Sequence, residues 1–267
     1  MMSSPHPTVL AVFAHPDDDA LTCLGTLAKF ARSQYQVHVL TLTAGEQSTT
    51  AVDLVRLSEA RSVAQEVGYS LIQHQLSDGK LAFDVHSVSL IEKYIRELLP
   101  QIVITHYPQN FGYGHQDHDA VADATVNAAR RSSCVDCILY AEPPLQNWGF
   151  APNLFVDVTD YIEIKKHAIR LHHSESGKAY MQPDIAELRA RWWALQNHPE
   201  SYCADRYLES FVLVKGLFGR DIFAPGEHLS REATEGSRML NSGLEFPARV
   251  PYLVTTGSSA STPDISR

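Results

Sequence analysis

Long apolar runs are missing from this chain of 267 residues. The stretch from Val9 to Ala14 is too short for a signal-peptide core or a membrane span, and no basic cluster precedes it. The expectation is a protein with no integral membrane segment that works in the cytoplasm. Cysteine is also scarce. Only four occur, Cys23, Cys134, Cys137 and Cys203, which excludes a disulfide scaffold and suits a reducing compartment. Cys134 and Cys137 form a lone C-x-x-C with no second ligand pair at suitable spacing, so they are read as two ordinary thiols. Basic residues number 22 against 31 acidic ones, for a formal charge of -9. With no basic run, a nucleic-acid partner is excluded. No G-x-G-x-x-G follows the first apolar run, and acidic side chains fill the turn where phosphates would sit, so a dinucleotide-binding domain is excluded as well.

What remains is an ordered alternation. "TVLAVF" is a short, continuous apolar run, the pattern of a parallel strand buried on both faces. "ALTCLGTLAKFARSQ" has helical spacing, and "QVHVLTLTAGE" reads as a second strand ending at Gly45. A helix over "LVRLSEARSVAQEVGY" stops at Gly68, a strand covers Ser70–Leu76, and "SDGK" turns. "VHSVSLIEKYIRELLP" is an amphipathic helix closed by Pro100. The strand "IVITHY", the helix "DHDAVADATVNAARRS" and the strand "CILYAEP" follow. Strands alternating with helices predict an α/β fold, a Rossmann-like and mostly parallel sheet flanked by helices, in a single domain over 1–233. The tail 234–267, rich in Gly, Pro and Ser, is expected to be partly disordered.

Ligands of such sheets bind outside the carboxyl ends of the strands. That rule brings three segments to one rim: His15–Asp19, Gly45–Gln47 and His106–His118. The first holds His15, Asp17, Asp18 and Asp19. The last holds Tyr113, His115, Asp117, His118 and Asp119. Taken singly, "DDD" is a common helix start favoured by the dipole, and "HQDH" a capped one. Together, two His/Asp clusters on one rim point to a metal. His15, Asp18 and His118 make an open set of two histidines and one carboxylate, the pattern of a catalytic zinc site. A dication would also relieve the repulsion among adjacent carboxylates.

"AHPDDDAL" resembles the AHPDDE motif of the LmbE-like, or PIG-L, deacetylases, and "YGHQDHDAV" resembles their GHPDH motif. "RLSEARSVAQEVG", "VDVTDYIEIKKHAIRLHHSES" and "YLESF" are similar to later family segments, so the resemblance runs in order from about residue 8 to 216. It implies a zinc-dependent hydrolase (Fe2+ being the other candidate ion) that removes an N-acyl, usually N-acetyl, group from an amino sugar or glycoside. The resemblance puts His15, Asp18 and His118 on the metal and makes Asp17 the general base. It puts Tyr113 at the oxyanion and makes His115 the acid for the leaving amine. It implies that Asp117 orients His115 and raises its pKa, and that Arg56 and Asp78 contact substrate. His172 matches a histidine outside the ligand set. His38, His74, His106 and His173 are read as ordinary histidines, and Trp192, Trp193, Tyr202 and Tyr207 as packing residues.

Three positions depart from the family pattern. Asp19 stands for Glu, so its partner must sit closer. Gln116 stands for Pro, and Glu175 stands for Gln, which exchanges an amide for an anion. The family acts on small amide substrates and includes homo-oligomers. Two other functions stay in view: an amidase on a thiol conjugate or N-acyl lipid, and a catalytically silent metal-binding module. Asp17, Tyr113 and His115 argue against the second, because holding a metal needs none of them.

Overall fold

The computed structural model describes residues 6–48, 53–108, 114–145, 149–197 and 205–217. The expected tail 234–267, with Tyr113, Tyr202 and Cys203, lies outside the described residues. β1 (Thr8–Phe13) is buried at every position, which is why its sequence is apolar without alternation. It is followed by α1 (Asp18–Thr22), α2 (Leu24–Arg32), β2 (Gln36–Thr43), α3 (Asp53–Val67) and β3 (Ser70–Leu76). α4 (Val85–Leu98), β4 (Ile102–His106), α5 (Gln116–Arg130) and β5 (Cys137–Ala141) continue the alternation. β6 (Leu154–Asp157), α6 (Ile162–Leu171), α7 (Pro183–Asn197) and β7 (Leu208–Gly216) complete it.

The seven strands form one sheet in the order β3-β2-β1-β4-β5-β7-β6. The first five are parallel, and β7 runs antiparallel to both β5 and β6. Alternate residues of β1 feed two cores. Val9, Ala11 and Phe13 pack with Leu24, Leu27 and Val63, whereas Leu10 and Val12 pack with Ile91, Ile95 and Val121. The expected α/β architecture is therefore present. Strand order reverses between β1 and β4, and a crevice opens there at the carboxyl ends.

One expected helix is two. The chain breaks at Cys23 (φ -137°, ψ 20°) between α1 and α2. The cause lies far along the sequence: the Glu209 carboxylate on β7 accepts the N–H groups of Gly25 (3.0 Å) and Thr26 (2.7 Å). It thereby satisfies the exposed donors of a second helix start. Lys165, buried on α6, balances that carboxylate at 2.6 Å.

Candidate metal centre

The turn after β1 is folded by its own acidic residue. Asp18 Oδ2 accepts the His15 backbone N–H at 2.7 Å, which curls the chain and turns both side chains to one point. His118, in the first turn of α5, comes from the other side of the crevice. His15 Nδ1 lies 3.1 Å from His118 Nε2 and 3.3 Å from Asp18 Oδ2, and His118 Nε2 lies 3.3 Å from Asp18 Oδ1. Ligands about 2.0–2.1 Å from a tetrahedral zinc stand about 3.3 Å from one another. The two ring nitrogens are spaced for such an ion, and the Asp18 carboxylate reaches each of them through a different oxygen. Asp78 Oδ1 stands 3.0 Å from His15 Nε2. It takes the proton there and leaves Nδ1 free to bind a metal.

The electrostatics ask for positive charge. Burial pushes the His15 imidazole down, but Asp18, Asp117 and Asp78 outweigh it and hold the ring well above its usual range. Burial pushes Asp18 up, yet His118, His106 and His15 overcome that and keep it well below the carboxylate range.

His106 belongs to this cluster, contrary to its reading as an ordinary histidine. It ends β4 on the same rim, stacks on His118 with ring centroids 4.0 Å apart, and puts Nε2 3.3 Å from Asp18 Oδ2. Burial and the His118 charge push it down to about 4. The Ala14 N–H donates to its Nε2 at 3.0 Å, so that lone pair is engaged. The ring supports His118 and Asp18. Its position at a strand's carboxyl end was the signal in the sequence.

Asp117 is placed differently from expectation. Its carboxylate accepts the N–H groups of Gly79 (2.7 Å) and Leu81 (3.1 Å) and lies 3.7 Å from His15 Nε2. His115 is oriented instead by the Asp117 backbone, whose N–H donates to Nδ1 at 3.2 Å. Nor is the His115 pKa raised. Burial and the charges of His15 and His118 lower it, outweighing Asp117. The reason is geometric: at the start of α5 the side chain of Asp117 points to the 79–81 loop, not back to its neighbour.

Asp17 lies beside the metal cluster, buried, with Oδ1 accepting from Arg56 Nη2 at 2.7 Å. Arg56 is buried too, and its Nη1 donates to the Gly45 carbonyl at 2.8 Å. Gly45 has φ +72°, and a Cβ there would stand 1.9 Å from Arg56 Nη1, so only glycine fits. Asp78, expected at the substrate, lines the cavity while serving His15, and its Oδ2 accepts the Gln47 N–H at 3.0 Å. Asp19 points away from the cavity and accepts the Tyr69 hydroxyl at 2.5 Å. His172 is buried behind the site, and Ser174 ties its segment to Glu59 of α3. Trp193 bonds Glu142 and Tyr207 bonds Glu187, as packing residues should, whereas Trp192 is exposed.

These groups surround a cavity of about 320 Å³. Its lining mixes polar side chains, Gln47, Ser48, Arg56, Asp78, Lys178 and Tyr180, with the apolar Leu21, Pro144 and Leu145. Lys178 and Tyr180 were not singled out in the sequence, where they carry no motif of their own. A buried His/Asp cluster that could hold a metal ion, a flanking carboxylate and a small cavity of mixed polarity are the parts that a hydrolytic centre needs.

Comparison with known proteins agrees. Residues 10–129 match the family model "PIG-L: GlcNAc-PI de-N-acetylase". The diacetylchitobiose deacetylase of Thermococcus kodakarensis is 30% identical over 235 residues, covering 79% of this chain and 84% of that protein. Among solved structures, the N,N'-diacetylchitobiose deacetylase of Pyrococcus horikoshii shares the fold at 23% identity, with a TM-score of 0.64 over 80% of this chain and 86% of its own. The 4-carboxy-2-hydroxymuconate hydratase of Pseudomonas putida also shares it, at 20% identity and a TM-score of 0.67, over 81% and 99% of the two chains. That likeness is one of architecture, since a single fold hosts several reactions. With the relatives' sequence identity and the family match in agreement, the chain belongs to the PIG-L family of deacetylases.

Proposed function

We propose that this deacetylase hydrolyses the N-acetyl amide of an amino sugar or glycoside at a zinc ion held by His15, Asp18 and His118. The observation that carries this reading is the convergence of His15 Nδ1 and His118 Nε2, 3.1 Å apart, on the Asp18 carboxylate, whose Oδ2 and Oδ1 lie 3.3 Å from the one and the other, flanked by the Asp17–Arg56 pair. Zinc supplies Lewis acidity, which makes water acidic near neutrality and polarises an amide carbonyl. Asp17 is the base. Arg56 occupies Oδ1, aims the carboxylate, and leaves Oδ2 to take the proton from water. His115 delivers a proton to the leaving nitrogen. Its lowered pKa makes its imidazolium a ready acid. Tyr113, two residues earlier, is assigned to the oxyanion.

The T. kodakarensis relative acts, by its name, on diacetylchitobiose, and an N-acetylated sugar of that size suits the mixed walls of the cavity. Among the described residues no helix is long and apolar enough to cross a membrane. Cys23, Cys134 and Cys137 are free thiols, in keeping with the cytoplasmic setting we assign.

Two measurements test the reading. Elemental analysis of the purified protein should find about one zinc per chain, the stoichiometry of a single three-ligand site. Asp17→Asn should retain that metal and lose release of free amine from N-acetylglucosaminides. Undiminished amine release by Asp17→Asn would remove Asp17 from the mechanism.

A further inference from the structure

Among the described residues, the cavity lining carries one arginine and one lysine, and each already has an anion. Arg56 is paired with Asp17 at 2.7 Å. Lys178 is paired with Oε2 of Glu175, a carboxylate with no exposure to solvent. Oε1 of the same group accepts the Ser48 hydroxyl at 2.6 Å and stands 3.6 Å from Arg56 Nε. Glu175 is thus wedged between the two cations, directly behind Ser48 and Lys178. Burial pushes its carboxyl up, but Lys178, Ser48 and Arg56 outweigh that and hold it below its ordinary range. It is an anion at neutral pH.

Among the described residues that line the cavity, Arg56 and Lys178 are the basic side chains, and Asp17 offsets the first as Glu175 offsets the second. A carboxylate or phosphate beside Lys178 would meet the Glu175 charge as well. Sugar hydroxyls, which both donate and accept, fit Ser48, Gln47, Lys178 and Asp78 without that conflict. Leu21, Pro144 and Leu145 offer the C–H face of a pyranose an apolar surface.

Building on the deacetylase reading above, we infer that the site selects glycosides with an uncharged aglycone, and that Glu175 is the residue that rejects anionic ones. Rejection by a like charge is a recognised route to specificity.

The test uses two matched substrates, the methyl and the carboxymethyl glycosides of N-acetylglucosamine. Each is assayed for released amine with the zinc-loaded enzyme at low salt. The parent protein should favour the methyl glycoside in kcat/KM by about 10-fold or more, a preference that shrinks as salt screens the charges. Glu175→Gln should bring the ratio to about one or reverse it, because Lys178 keeps its charge and loses its counter-ion. Lys178→Met should widen the ratio, and it serves alone if Glu175→Gln does not fold. A purely structural role for Glu175 would lower both substrates equally and leave the ratio unchanged, which overturns the inference. Equal turnover of the two glycosides by the parent overturns it too, while deacetylation stands. No amine from either glycoside would remove the deacetylase reading and this inference with it.

Discussion

Asp19 sits fully buried beside two other carboxylates and offers a test of how this turn is stabilised. Burial raises its pKa. The Tyr69 hydroxyl and the Ala20 N–H lower it, Asp18 and Asp17 raise it further, and the carboxyl is pushed up to about 7 from an ordinary 3.8. Between those two values the folded protein holds a proton that the unfolded chain has released. Stability therefore falls as pH rises through that window, and the penalty is complete above the folded value. For one group with these two pKa values the loss from pH 5 to pH 8 is roughly 2.6 kcal/mol. Asp19→Asn abolishes the titration while its amide oxygen still accepts from Tyr69. The stability of Asp19→Asn relative to the parent should therefore improve by roughly 2–3 kcal/mol between pH 5 and pH 8. Other groups titrate in both proteins and cancel. Urea unfolding of chelator-treated protein at the two pH values measures it. With a slope of about 2–3 kcal/mol per molar, the gap between midpoints should move by about 1 M. A gap that is the same at pH 5 and pH 8 would refute the argument that Asp19 is held protonated by burial.

Other outcomes follow from the same geometry. Gly45→Ala forces a Cβ to within 1.9 Å of Arg56 Nη1 at φ +72°. It should cost about 1–3 kcal/mol in thermal or urea unfolding, and a melting curve like the parent's would show that Arg56 moves aside freely. Asp117→Asn should weaken metal binding about 10- to 100-fold in a competition titration, because its carboxylate faces His15. If Asp117→Asn shifts the pH–rate profile at unchanged metal affinity, Asp117 acts on His115 after all. Removing metal with a chelator should lower the melting temperature. An ion present at 100 times its Kd contributes about 2.7 kcal/mol, and a melting temperature indifferent to chelator would argue against a metal among His15, Asp18 and His118.

The parts of this protein legible in its sequence are those determined by neighbours along the chain. β1 reads as a doubly buried strand because all six residues are buried and the five from Val9 to Phe13 face one core or the other. His15 and Asp18 read as metal ligands because they follow that strand on the ligand-binding rim. The break between α1 and α2 was illegible because the carboxylate responsible, Glu209, lies 184 residues from Gly25. His106 was passed over for a similar reason. Its stacking on His118 and its contact with Asp18 exist only after β1 and β4 pair. Asp117 differs in another way: the family resemblance implied a partnership with His115, whereas at the start of α5 its carboxylate accepts from Gly79 and Leu81.

The turn and its surroundings show why so many carboxylates can share one crevice. Each has been given a different partner. Asp17 has a guanidinium, Asp19 a phenol, Asp117 two backbone N–H groups, and Asp78 a backbone N–H with one face of His15. Asp18 alone is surrounded by imidazoles, from His15, His106 and His118. Guanidinium, phenol and amide donors hold the other carboxylates in place without needing an ion. A ring of imidazoles gives Asp18 no fixed counter-charge unless it takes up protons. The same cluster can instead bind a dication and leave its histidines neutral. Proton and metal therefore compete for Asp18 and its histidines, and the affinity of this centre for zinc should rise with pH through the range in which those rings lose their protons.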